Sequence, residues 1–219
     1  MAQHYPHYIW HNGGIKPWAE ATTHVMSHAL HYGSSVFEGI RCYETPNGPA
    51  IFRLTDHMRR LFASARIYDM AMPYSLEQLN AASREVIRVN RLTKAYLRPV
   101  AYRGLGGFGL SADCPTDVAV AAWEMGPYLG AGVLEAGIDA CVSSWQRFAP
   151  NTIPAGAKAG GNYLSGQLIA REARRYEGVR ATLVACVAVS AVIALAGLAA
   201  MRRRSALVGA LPFVILPFL

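Results

Sequence analysis

APNTIPAGAKAGGNYLSG, residues 149–166, sets Lys158 in a run of small residues. Ala155, Gly156 and Ala157 precede it, and Ala159, Gly160 and Gly161 follow. A bulky planar group could lie beside this amine without meeting a large side chain, and a lysine that forms a Schiff base needs such room. Lysine is otherwise scarce, with Lys16 and Lys94 the only others among 21 basic residues. From the residues alone, a surface lysine in a flexible loop remains the competing reading. A helix is expected over residues 163–175.

Upstream, the pattern is α+β. Tyr8, Ile9 and Trp10, with Ile15 beyond Asn12-Gly13-Gly14, read as a β-hairpin. Two further strands, 39–43 and 50–54, flank the turn Thr45-Pro46-Asn47-Gly48. Thr55 is expected to cap a helix with Met58, Leu61, Phe62, Ala65 and Ile67 apolar. Ser75 and Gln78 form a capping box for a second helix, with Leu79, Ala82, Val86 and Ile87 on one face. Residues 96–102 read as a strand in which Pro99 implies an edge or a bulge. The glycine-rich stretch 104–113 reads as a loop, and 117–123 and 138–145 as apolar strands.

Arg59 and Arg60 lie early in the first helix, where either could hold a phosphate through paired hydrogen bonds or simply face solvent. Arg98, in an apolar strand between Tyr96 and Tyr102, is either solvent-facing or a carboxylate clamp. His24, His28 and His31 have the spacing of one helical face. Neither they nor His4, His7 and His11 are joined by an acid or a cysteine in a metal-binding pattern, so no metal is expected. Residues 104–109, GLGGFG, lack the strand–helix context and lysine of a phosphate loop.

The 219 residues carry 21 Lys+Arg and 14 Asp+Glu, a net charge of +7. Four of the positives, Arg180, Arg202, Arg203 and Arg204, lie in residues 179–219, which contain no acid; the body is therefore at 7 − 4 = +3. With no basic stripe in that body, a nucleic-acid partner is not expected. Cys42, Cys114, Cys141 and Cys186 show no paired spacing, which suits reduced thiols in a cytoplasmic protein. No secretory signal is expected from the N-terminal residues.

The character changes near Gly178. Residues 181–201, ATLVACVAVSAVIALAGLAAM, are an uncharged run of 21 residues, long enough to span a bilayer as a helix. Arg202–Arg204 and a second apolar run follow. The tail is expected either to be a C-terminal membrane segment, associating the chain with a membrane through 181–219, or to be foreign to the domain through a frame error, fusion or truncation.

HVMSHALHYGSSVFEGIRCYET, FRLTDHMRRLFASARIY, AYLRPVAYRG and SSWQRFAPNTIPAGAKAGGNYLSGQLIAREARR, taken in order, together resemble the branched-chain aminotransferases. These are fold-type IV, pyridoxal-phosphate-dependent class IV aminotransferases. The resemblance implies a small α+β domain over residues 1–125. An interdomain segment and the start of the cofactor-binding domain would follow over 126–178, then the apolar tail over 179–219. It implies that Lys158 bonds pyridoxal 5'-phosphate and then shuttles the substrate proton. Arg60 would bind the cofactor phosphate, and Tyr163 the hydroxyl of its ring. Tyr32, Phe37, Tyr96, Arg98 and Tyr128 would form the substrate pocket, Tyr32 at a site shared across a dimer. Arg98 could take the side-chain carboxylate of glutamate.

The implied reaction moves an amino group from leucine, isoleucine or valine to 2-oxoglutarate, in a cytoplasmic homo-oligomer. The resemblance stops near Gly178. The family's S-E-G-x-x-x-N block, whose glutamate pairs with the pyridinium nitrogen, is not in this sequence, so a truncated and impaired enzyme is expected. Two alternatives stand beside it. One is a membrane-anchored, non-catalytic protein built on the small domain. The other is a D-amino-acid aminotransferase or an aminodeoxychorismate lyase.

Overall fold

The structure, a computed structural model, describes residues 5–125, 141–149 and 151–175. Two compact units result, Met1–Gly137 with Phe148–Gln167, and Ile138–Arg147 with Leu168–Leu219.

The first unit is built on an antiparallel sheet. Its strands are β1 (Tyr8–His11), β2 (Gly14–Pro17), β3 (Ser35–Phe37), β4 (Ile40–Thr45), β5 (Gly48–Ile51), β6 (Ala95–Arg103) and β7 (Thr116–Trp123). Their order is β2-β1-β7-β6-β4-β5, with β3 also paired to β6. Both expected hairpins form, Asn12-Gly13 joining β1 to β2 and Pro46-Asn47 joining β4 to β5.

Two helices cover one face, α2 (Leu54–Ile67) and α3 (Leu76–Val89), after the short α1 (His28–Tyr32). Leu54, Met58, Leu61 and Ala65 follow the i, i+4, i+7 rhythm of one helical stripe and are buried. They meet Val36, Ile40, Leu97, Val118, Val120 and Ala122 from the sheet. Each of the leucine, isoleucine, valine and methionine side chains among them contributes roughly 1.5–3 kcal/mol by leaving water. A smaller cluster of Ile9, Ala119 and Ala121, with Val100 and Trp123, lies on the other face.

The capping box of α3 forms: Gln78 N–H donates to Ser75 Oγ, and Ser75 N–H donates to Gln78 Oε1. Thr55 does not cap α2. The helix already begins at Leu54, after Arg53 in a left-handed conformation, and Thr55 Oγ1 instead accepts from Asn80 of α3.

Pro99 lies in an interior strand, not at an edge. Phe37 pairs with Val100 and Ile40 with Leu97 in unbroken register, so no residue is inserted. Glu38 N–H donates to the Pro99 carbonyl at 2.8 Å. The reciprocal bond cannot form because proline has no N–H. The ladder is therefore interrupted between β3 and β4 at the cost of one hydrogen bond.

In the second unit, Glu172 of α4 (Leu164–Ala173) accepts from the Ser143 hydroxyl and the Ser144 amide. The Ser143 bond leads in holding the Glu172 carboxyl below its ordinary value. The expected strand over 138–145 is absent across 141–145, because the amide of Ser144 that would enter a ladder serves a helix side chain. Residues 138–140 lie outside the described residues.

Among the described residues, no helix is long and apolar enough to cross a membrane. The run 181–201 and the rest of the tail lie outside the described residues.

Candidate functional site

Side-chain alternation along β3 and β6 divides the site between the two faces of the sheet. Val36, Leu97 and Ala101 point to the helices. Phe37, Tyr96 and Arg98 therefore share the opposite face. The Arg98 guanidinium lies 4.6 Å from the Phe37 ring centroid and 5.3 Å from that of Tyr96. Its Nη2 donates to Tyr96 Oη at 3.1 Å. Its Nε is buried and has no hydrogen-bond partner among the described residues.

Lys158 reaches this wall along the free edge of β3. Val36 and Ala159 form an antiparallel bridge, and Phe37 N–H donates to the Lys158 carbonyl at 3.0 Å. The Lys158 N–H in turn donates to Ser64 Oγ on α2 at 3.1 Å. Both backbone groups of the lysine are thus fixed by the sheet and helix. Asn162 is buried and donates to the Pro154 and Ala157 carbonyls, tying the small-residue loop back on itself. A Cβ at Gly160 would overlap Ser35 Oγ, which would have to rotate away, so glycine lets the loop approach the strand without disturbing that hydroxyl.

The Lys158 side chain ends beside two aromatic rings. Nζ donates to Tyr163 Oη at 2.7 Å and sits 4.9 Å from the Phe37 ring centroid. The Phe37 and Tyr163 rings are 5.0 Å apart.

Arg60 supplies the positive charge. It projects from α2 one turn before Ser64, and its Nε and Nη2 each donate to Glu38 at 2.6 Å. Glu38 is fully buried and also accepts from His57 Nδ1 at 2.9 Å. Burial would raise the Glu38 carboxyl, but the hydrogen bonds from Arg60 and His57 outweigh it and hold the group below its ordinary value. The bond to Glu38 raises Arg60 in turn, and the neighbouring Tyr163 phenol adds to that effect. Arg59 takes no part, pairing at the surface with Asp56.

Five sequence-derived site residues thus meet around Lys158: Arg60, Tyr163, Phe37, Tyr96 and Arg98. Tyr32 lies on α1, half exposed, with its ring against His28 and His31. Tyr128 lies outside the described residues. The expected histidine face does not form, because α1 starts at His28 and leaves His24 outside it. His28 contacts Ser34 Oγ and the Gly109 carbonyl, whereas His31 contacts the Val25 carbonyl. Among the described residues there is no cluster of three or more metal-ligating side chains.

Glu38, His57 and Ser64 were not singled out from sequence. One signal was available for Glu38, a lone acid in the apolar stretch Ser35–Ile40. Ser64 could have been flagged by standing four residues after Arg60, hence on the same helical face.

An α+β unit with a lysine at a strand edge, backed by an arginine and an aromatic wall, defines a class. The family model of amino-transferase class IV matches residues 35–185, and the chain belongs to that family. Among its relatives, the branched-chain-amino-acid aminotransferase of Escherichia coli K12 is 57% identical over 171 residues, 77% of this chain and 55% of the relative. The Pseudomonas aeruginosa protein of the same name is 45% identical over 166 residues, 75% of this chain and 54% of the relative. The chain spans about half the length of these curated relatives.

The crystal structure of the E. coli branched-chain amino acid aminotransferase matches with a TM-score of 0.79 at 53% identity, over 83% of this chain and 60% of that one. The T.th. branched-chain amino acid aminotransferase complexed with N-(5'-phosphopyridoxyl)-L-glutamate matches with a TM-score of 0.75 at 43% identity, over 82% of this chain and 58% of that one.

Proposed function

We propose that this chain carries the lysine and substrate wall of a branched-chain amino acid aminotransferase. The reaction moves the amino group of leucine, isoleucine or valine to 2-oxoglutarate with pyridoxal 5'-phosphate. The domain boundaries expected from sequence, the cytoplasmic setting of the body, pairing with a second copy and the pocket roles of Tyr32 and Tyr128 belong to the same proposal. The observation that carries it is the Lys158–Tyr163 contact against Phe37, with Arg60 and Arg98 on either side.

The residues fit such a cofactor. Lys158 offers a primary amine beside a shelf of small residues, Tyr163 a phenol at hydrogen-bond distance from that amine, and Arg60 a fixed guanidinium. The Arg98 guanidinium at the Phe37–Tyr96 wall, its Nε without a partner among the described residues, is a donor group suited to a substrate carboxylate. When bound, pyridoxal phosphate supplies the electron sink that makes a substrate Cα–H acidic.

Lys158 would hold that group through its amine, and the same amine, when free, would take the substrate Cα proton and return it. Tyr163 holds the lysine amine and orients it. Arg60 neutralises phosphate charge at the site. Phe37 and Tyr96 exclude water and accept a branched apolar side chain, and Arg98 takes the second carboxylate of glutamate or 2-oxoglutarate.

The test is an absorbance spectrum of the purified full chain with pyridoxal phosphate, followed by borohydride reduction and peptide mapping. A cofactor adduct on Lys158 is expected. Label on Lys16 or Lys94, or none, would overturn the assignment.

A further inference from the structure

Glu38 is the most deeply buried charge at this site, and no role above requires it. It comes directly after Phe37, the last residue of β3, and its side chain meets Arg60 and His57 of α2, away from the substrate wall. Both of its oxygens accept from Arg60, Oε1 from Nε and Oε2 from Nη2. Oε2 also accepts from His57. The backbone beneath it is held as well, by the Glu38 N–H to Pro99 bond. A forked pair of this kind fixes the plane of a guanidinium, which a single hydrogen bond would leave free to rotate. It leaves Nη1 of Arg60 without a partner among the described residues.

We infer that Glu38 is the positioning residue of the cofactor-phosphate subsite. It locks Arg60 so that the remaining guanidinium donor is presented to a phosphate in one orientation. This rests on the aminotransferase reading above. Removing a neighbouring negative charge should, by Coulomb's law alone, strengthen anion binding. The positioning role has the opposite sign. In Glu38→Gln, one carboxylate oxygen becomes an amide NH₂, and both oxygens face arginine N–H groups, so either amide orientation sets a donor against a donor. The fork opens and Arg60 loses its fixed plane.

The experiment compares dissociation constants of pyridoxal 5'-phosphate and of pyridoxal, which lacks the phosphate. Both are measured by fluorescence on the full chain, its E38Q and E38D variants, Arg60→Met, and the double variant E38Q with Arg60→Met. The expected result is that E38Q weakens pyridoxal phosphate on the order of tenfold, the lower range for hydrogen bonds to charged groups, and leaves pyridoxal unchanged. On the Arg60→Met background, E38Q should add nothing further.

E38D keeps the charge but shortens the reach, and should lose phosphate preference as E38Q does. It carries the test if E38Q does not fold. Unchanged or tighter pyridoxal phosphate binding in these variants would overturn the inference. So would equal loss of both ligands, which is the mark of a merely structural residue. A wild-type chain that binds neither ligand would overturn the aminotransferase reading as well. A wild-type chain that prefers the phosphate, with variants that prefer it equally, would overturn this inference alone.

Discussion

Ser64 Oγ accepts the backbone N–H of Lys158 at 3.1 Å, across 94 residues of sequence. The hydroxyl is almost fully buried, so water is poorly placed to replace it. Ser64→Ala should cost about 1 kcal/mol of stability, the usual net value of one such bond. It should also slow borohydride trapping of cofactor on Lys158, since the lysine backbone then rests on Phe37 alone. Urea melts and trapping time courses check both. Wild-type trapping kinetics would show that the Ser64 bond does not set the lysine.

Arg98 is held over Phe37, and its buried Nε has no partner among the described residues. Arg98→Met keeps the length and removes the charge. The KM for 2-oxoglutarate should rise by about an order of magnitude, as expected when a charge-assisted contact is lost, with a smaller change for leucine. Steady-state kinetics with each substrate varied would reveal an equal rise for both, which would remove Arg98 from the carboxylate role.

Gly39 leaves room for the Tyr96 hydroxyl; a Cβ there would overlap it. Gly39→Ala should push Tyr96 aside and strip Arg98 Nη2 of its partner. The expected signature is a changed preference between leucine and valine with little change in melting, because the displaced atom is the far end of a side chain. Paired KM measurements and a thermal melt decide it.

Ser75→Ala removes the capping box of α3 and should cost about 1 kcal/mol. Lys158 trapping should be unaffected, since α3 contributes nothing to the amine's surroundings. A melt and a trapping assay on one preparation separate the two effects.

The Glu38 carboxyl is held below its ordinary value of 4.5 in the folded chain. An unfolded chain takes up that proton more readily. The stabilisation is therefore complete above the ordinary value and lost as pH falls through the lower folded-state value. Urea unfolding between about pH 5 and pH 3 should show wild type losing stability faster than Glu38→Gln. Parallel slopes would show that Glu38 is not the titrating group.

Much of this fold was legible because short-range chemistry writes it plainly. Asn12-Gly13 and Ser75 with Gln78 announce a turn and a helix start regardless of what surrounds them. Thr55 misled because its hydroxyl serves Asn80 of α3, a partner whose approach no local rule reveals. Pro99 read as an edge or bulge residue, whereas β6 carries neighbours on both sides and accommodates it by omitting one bond. At the site, Lys158, Arg60 and Arg98 stood out as charges in apolar or small-residue settings. Ser64 and Glu38 act through contacts that exist only once α2 lies on β3.

The pairing of Trp10 with Val120 has a consequence during synthesis. The first hairpin docks on a strand 110 residues further along the chain. At ~5–20 residues per second, its docking surface takes roughly 5–20 s to leave the ribosome. Two strands alone are marginal in water. Until β7 arrives, the backbone edge of β1 that it will pair with stays open on the nascent chain. Slower translation prolongs that interval, and with it the time in which neighbouring chains can capture the hairpin.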